Sequence, residues 1–341
     1  MVCRMDCARM RAVRLLVVLM LMSATAVLRA DERQSVIVVV GAEGTPEYRQ
    51  MFSEWTDRWQ AAAKAGDADF AAVGRGQSDE SSNDLQTLQT KVTDAISVKT
   101  DEPLWLVLIG HGTFDGRVAR FNLRGPDLSA DAAAELLATS QRPVAVINCA
   151  SCSAPFISAL SAPNRIVITG TKDGNQVQFT RFGGFLADAI ANLDADIDRD
   201  GQTSLLEACL FSARRVEEYY KSDGRLATEH SLLDDNGDGK GVRAELFEGV
   251  RVRENVKDKT AVDGKLAKRW HLVRSEAERS LSPEHRMERD RLEEQLEQLR
   301  PLKAELSEAE YLGRLEDILL PLARLYETSA DPPQANQQQP Q

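Results

Sequence analysis

Four short apolar runs, separated by helical patterns, constrain this chain more than any other feature. They read SVIVVVG at 35–41, LWLVLI at 104–109, VAVI at 144–147 and RIVIT at 165–169. None alternates apolar with polar residues, so each is expected to be a strand covered on both faces. A weaker strand, DFAAV, is expected at 69–73. Thr45 and Pro46 open the first intervening helix, a capping hydroxyl followed by proline at the first helical position. Tyr48, Phe52, Trp55 and Trp59 line one face of it. Leu85, Leu88, Val92 and Ile96 mark a second amphipathic helix, with further helices expected at 130–139 and 179–193. Strands alternating with helices predict an α/β fold: a mostly parallel sheet flanked by helices on both faces. The pattern does not set the order of the strands.

The two ends differ from this body. Arg4, Arg9, Arg11 and Arg14 precede an apolar stretch over 15–28, and small residues follow at Ala24, Thr25, Ala26 and Ala30. A basic start, a short apolar core and a small-residue cleavage site describe a secretory signal peptide over 1–30, hence export to a periplasmic or extracellular space. The run is short for a membrane span, and no later segment is apolar enough for one. Cleavage removes five arginines and one aspartate, leaving a chain more acidic than the full-length net charge of −11. Such a surface repels phosphate, which argues against nucleic-acid binding, and suits cations. Cleavage also removes Cys3 and Cys7, and the remaining Cys149, Cys152 and Cys209 are too few for a disulfide framework. An α/β domain is thus expected over 31–250, a helical extension over 251–328 and a disordered tail over 329–341. In the extension, Ser282 and Pro283 start a helix bearing Leu292, Leu296 and Leu299. Ser307 to Glu310 is a capping box for another, bearing Leu312, Leu315, Leu319 and Leu322. These helices suit packing on each other, on the body, or on a partner through 283–325.

The run LWLVLI leads into Gly110-His111-Gly112, and the run VAVI into Asn148-Cys149-Ala150-Ser151-Cys152. Ligands of open α/β sheets bind outside the carboxyl ends of the strands. Adjacent strands lie about 4.8 Å apart, so neighbours would bring His111 within reach of residues 149–152. A base beside a nucleophile is the arrangement for acyl transfer. Gly112 N–H is a candidate oxyanion donor, and a helix starting near Ser153 would favour a thiolate. Two other readings stand beside this one. Cys149-x-x-Cys152 has the spacing of a redox pair, and the same cysteines could form a structural disulfide.

LWLVLIGHGTFDG followed by VAVINCASCSAPF resembles the caspase-fold cysteine peptidases, in particular their legumain-like branch, over about residues 35–250. The resemblance implies an endopeptidase with His111 in the family's histidine position. The family's Ala-Cys-x-Ser-Gly pattern falls on Ala150-Ser151-Cys152-Ser153-Ala154, with Phe156 at the following apolar position. Serine therefore stands where the nucleophilic cysteine is expected, and alanine where glycine is. A serine hydroxyl needs a well-oriented base and a third group, whereas a thiol ionises near pH 8.5 unaided. Three outcomes remain open: Ser151 as a weaker nucleophile, Cys149 or Cys152 in its place, or an inactive cleft that binds a peptide or protein ligand. Cys149 also replaces the family's acidic residue beside the nucleophile, so specificity does not carry over.

Two acidic loops follow. In 196–207, Asp196, Asp198, Asp200, Gly201 and Glu207 occupy positions 1, 3, 5, 6 and 12 of an EF-hand-like calcium loop. Gln202 offers its carbonyl at position 7 and Ser204 its hydroxyl at position 9. In 234–245, Asp234, Asn236, Asp238 and Glu245 fit the same template, with more glycine. One Ca²⁺, or two, is the expected cofactor. Legumain-like proteins build substrate-binding loops after the fifth strand, and by that resemblance a calcium loop here would order them. His230 is expected to be structural, with a ligand or base role as the alternative; His271 and His285 carry no signal.

Overall fold

The computed structural model describes residues 33–76, 83–253 and 263–330. The expected signal peptide and residues 331–341 of the expected tail lie outside them. In chain order the first elements are β1 (Ser35–Val40), α1 (Pro46–Ala65), β2 (Asp69–Val73), α2 (Asp84–Ser97) and β3 (Leu104–Ile109). Three short strands follow, β4 (Gly112–Phe114), β5 (Ala119–Phe121) and β6 (Leu128–Ser129). Then come α3 (Ala130–Leu137), β7 (Val144–Asn148), α4 (Pro155–Leu160), β8 (Arg165–Thr169), α5 (Phe182–Ala189), α6 (Leu205–Ser222) and β9 (Leu232–Asp234).

The main sheet has the order β2-β1-β3-β7-β8-β9. Its first five strands are parallel and β9 joins β8 antiparallel. The four apolar runs are its central strands, covered on both faces as their composition requires. Val36, Val38, Trp105, Val107, Ile109, Ala145 and Ile147 face one way, onto Phe52 and Trp59 of α1 and Phe182 and Leu186 of α5. Ile37, Val39, Leu104, Leu106, Leu108, Val144 and Val146 face the other way, onto Leu88 and Val92 of α2, Leu137 of α3 and Leu160 of α4. Each large side chain so buried contributes roughly 1.5–3 kcal/mol.

Several expectations change in detail. The Thr45 side chain makes no capping bond to α1. The helix expected over 179–193 is shorter, Phe182–Ala189, and a 3-10 turn at Leu193–Ala195 leads into the first acidic loop. Residues 112–129, where the sequence carries no strand pattern, form the small antiparallel sheet β4-β5-β6. The part after Ser204 is not purely helical: it contributes β9 and the pair β10 (Phe247–Glu248) and β11 (Arg251–Val252).

Residues 263–274, grouped by sequence with the extension, pack into the body. Ala267 and Leu272 are fully buried in the core of the α1 face. The Gln34 side chain donates to the carbonyls of His271 (3.0 Å) and Leu272 (3.2 Å) and accepts from Trp105 Nε1 (2.8 Å). Arg274 and Arg286 both reach Glu102, at 2.5 and 3.1 Å. Beyond α7 (Lys265–Arg269) and α8 (Glu276–Ser280), helices α9 (Pro283–Leu299) and α10 (Glu308–Ala330) form a hairpin around Leu292, Leu299 and Ile318. Leu312, Leu319 and Leu320 of α10 stay exposed. Among the described residues, no helix is long and apolar enough to cross a membrane.

Candidate functional site

β3 and β7 are hydrogen-bonded neighbours, paired from Leu104 with Val144 to Leu108 with Asn148, and the ladder runs on through Cys149 N–H to Leu108 O at 2.9 Å. His111 and the 149–152 turn therefore share one rim of the sheet. The side chains of that turn then diverge. Cys149 packs into the α1-face core, and Ala150 into the opposite one. Ser151 turns to Gly112, and Cys152 to Gln176.

Ser151 is 4% exposed, and its hydroxyl is hydrogen-bonded to Gly112. Oγ donates to the Gly112 carbonyl (3.1 Å) and accepts the Gly112 N–H (3.2 Å). A Cβ at position 112 would lie 2.2 Å from the Ser151 carbonyl oxygen, so only glycine permits this approach. The Gly112 N–H, the expected oxyanion donor, is directed at the Ser151 hydroxyl. Among the described residues, no hydrogen bond joins the His111 ring to Cys149, Ser151 or Cys152.

His111 sits instead in an aromatic box. Its ring centroid is 4.6 Å from Tyr48, 5.5 Å from Phe52 and 5.8 Å from Phe179, all in edge-to-face geometry. Burial pushes the imidazole pKa down, while the Glu43 carbonyl, hydrogen-bonded to the ring, pulls it partly back. Among the described residues, the ring makes ring contacts with aromatic side chains and no hydrogen bond to a nucleophile. Tyr48 and Phe52 were legible as the face of α1; their arrival at the end of β3 was not, because it depends on how α1 lies across the sheet.

Neither thiol is activated. Cys149 is 1% exposed, with its Cβ against Gly183, and burial drives its pKa far upward. Its carbonyl accepts the Thr180 hydroxyl. Cys152 is buried too, and desolvation together with Asp173 raises its pKa. Its backbone is left-handed (φ 54), a conformation that costs a non-glycine residue roughly 1–2 kcal/mol. The Gln176 carbonyl accepts its N–H at 3.0 Å and lies 3.8 Å from its sulfur. Both cysteines are free thiols. The helix expected near Ser153 begins at Pro155, and the N–H groups of Ser153 and Ala154 both donate to Thr171 Oγ1 (2.8 and 3.1 Å). That helix end consequently offers the rim no open donors. His230 meets Gln176, the residue whose carbonyl holds Cys152: its Nδ1 is 2.8 Å from Gln176 Nε2. It lines a separate recess of about 730 Å³ beside α6, with Glu229, Tyr220 and Arg253.

In the first acidic loop, Asp196, Asp198 and Glu207 bring carboxylate oxygens within 4.8 Å of one another. Glu207 is 2% exposed; Oε1 accepts from Ile197 (2.8 Å) and Asp198 (3.0 Å), and Oε2 closes a capping box with Ser204. Burial, with Asp198 nearby, pushes the Glu207 carboxyl pKa up; burial, with Asp198 and Asp196, does the same to Asp200. The buried Gln202 side chain bridges the loop to the chain before α8, its Oε1 accepting from Ser275 N–H (3.0 Å) and its Nε2 donating to Asp200 Oδ2 (3.3 Å). These oxygens fit a hard divalent cation. In the second loop, Asp234 Oδ1 accepts the Gly237 N–H at 3.2 Å, while Glu245 is exposed and pairs with Arg243 at 3.5 Å.

No family model and no curated protein matches the sequence. Among solved structures the chain is similar to the Drosophila initiator caspase Dronc, at 12% identity over 65% of this chain and 89% of that one, with a TM-score of 0.40. It is also similar to caspase-1 from Spodoptera frugiperda, at 10% identity over 63% and 90%, with a TM-score of 0.41.

Proposed function

We propose that this chain is an exported, non-catalytic relative of the legumain-like peptidases, whose strand-end cleft binds a peptide or protein without cleaving it. One observation carries the reading: the Ser151 hydroxyl is closed on Gly112 rather than on His111. A serine with both hydrogen-bonding faces occupied and no base in contact is a poor nucleophile. The thiols on either side are buried, and burial pushes both pKa values up. What remains at the rim is recognition chemistry. The part-exposed rings of His111, Tyr48 and Phe179, backed by the fully buried Phe52, form a rigid surface of the kind that anchors a peptide side chain. A peptide library screened for both retention and hydrolysis tests this. Retention without hydrolysis is expected, with Tyr48→Ala weakening retention about tenfold, the effect of losing one aromatic anchor worth about 1.4 kcal/mol. Hydrolysis that disappears in His111→Ala would replace this reading with a peptidase.

Calcium at 196–207 belongs to the same proposal, as the element that orders the chain beyond the sheet. Asp196, Asp198 and Glu207 would hold the ion, with Asp200, Ser204 and the Gln202 carbonyl completing an oxygen shell. At Ca²⁺ about tenfold above its dissociation constant, the melting temperature should rise by a few degrees, from roughly 1.4 kcal/mol of linkage. Asp196→Ala should abolish that part of the gain. An unchanged calcium response in Asp196→Ala would exclude the site.

A further inference from the structure

The second acidic loop contains a feature that its spacing did not predict. Asp234, at the end of β9, and Asp263, at the start of the segment leading into α7, are each 1% exposed. Each carboxylate has one oxygen accounted for. Asp234 Oδ1 accepts the Gly237 N–H at 3.2 Å. Asp263 Oδ1 accepts the N–H groups of Asp235 (2.9 Å) and Asn236 (3.0 Å). The other two oxygens, Asp234 Oδ2 and Asp263 Oδ2, are buried and have no hydrogen-bond partner. Both side chains thus converge on the backbone of 234–237, from opposite ends of the chain between them.

Asp235, lying between, does not relieve them. Its carboxylate is saturated by the N–H groups of Gly264, Leu266 and Ala267, each at 2.8 Å. Two bare carboxylate oxygens in a protein interior are costly, since each forgoes its water without gaining a donor. A divalent cation that prefers oxygen would satisfy both. The loop brings further oxygens at Asn236 and Asp238, and it turns through Gly237 (φ 79) and Gly239 (φ 74). Glu245, the residue that the twelve-residue template assigns to the closing position, is exposed and paired with Arg243.

We propose that Asp234 and Asp263 are carboxylate ligands of a second calcium site, with Asp263 taking the closing position that spacing assigned to Glu245. The ion would bind the end of β9 to the entry of α7, clamping both ends of the excursion between them. This site stands independently of both the peptide-binding reading and the first loop.

Equilibrium dialysis of the full chain against ⁴⁵Ca²⁺ tests it, comparing wild type with Asp263→Asn, Asp234→Asn, Glu245→Gln and Asp196→Ala. Asparagine keeps the Oδ1 acceptor for Asp235 and Asn236, so Asp263→Asn should fold. It is expected to bind one calcium fewer than wild type, as is Asp234→Asn, while Glu245→Gln binds the full number. Asp263→Asn matching wild type, or Glu245→Gln losing an ion, would overturn the proposal. Should Asp263→Asn not fold, Asp234→Asn decides on the same criterion. Asp196→Ala reports on the first loop separately, so failure there is distinguishable from failure here.

Discussion

Replacing Gly112 with alanine should destabilise the chain by about 3 kcal/mol and dismantle the strand-end site, the sum of overpacking and two lost hydrogen bonds. The added Cβ would meet the Ser151 carbonyl oxygen at 2.2 Å and the Arg120 carbonyl oxygen at 3.1 Å. Both obstacles are backbone atoms, one in the turn after β7 and the other in β5, the pairing partner of β4. Relief therefore requires moving a strand end, which separates Gly112 from the Ser151 hydroxyl. Gly313→Ala is the matched control. Nothing lies within 4 Å of a Cβ there, and the position is inside α10, so alanine should stabilise by up to about 1 kcal/mol. Urea unfolding of the two variants measures both effects. A Gly112→Ala protein as stable as wild type would show that the turn and β4 are not held together as described.

A comparable effect is expected from pH, through His271. Its ring is 8% exposed, and its pKa is pushed down to about 3, chiefly by burial and also by Arg289 and Arg274. In the unfolded chain the same ring binds a proton below about pH 6.5. Between those values the unfolded state holds more protons than the native one, so stability falls as pH is lowered through that window. The contribution is present in full above about pH 6.5, and about 2–3 kcal/mol of it should be lost between about pH 7.5 and pH 4.5. Glu278, with a raised pKa from burial, works in the opposite direction. The informative quantity is therefore wild type minus His271→Gln, measured by urea unfolding at both pH values. Equal losses in the two proteins would show that His271 titrates normally in the fold.

The central sheet was legible because its strands are uniform apolar runs, and only a doubly covered parallel sheet gives such runs a place. The rim was legible for the same reason: His111 and residues 149–152 end two of those runs. What the residues there touch was not legible. The direction of each side chain in 149–152 depends on a left-handed Cys152 and on an approach to Gly112 that no periodicity records. The small sheet β4-β5-β6 was missed because strands of two or three residues carry no alternation to read. Likewise, the template that placed Glu245 in the second loop works on local spacing. Asp263 approaches from beyond an intervening segment, so no local pattern could announce it.

Whether the rim is a binding cleft or a working active site is settled most directly by intact mass after exposure to peptides bearing an acylating or thiol-reactive warhead. The wild-type chain should remain unmodified at Ser151, Cys149 and Cys152, because the hydroxyl is closed on Gly112 and both thiols are buried. A stoichiometric adduct on any of the three, lost when His111 is replaced by alanine, would contradict this account and make the chain a peptidase.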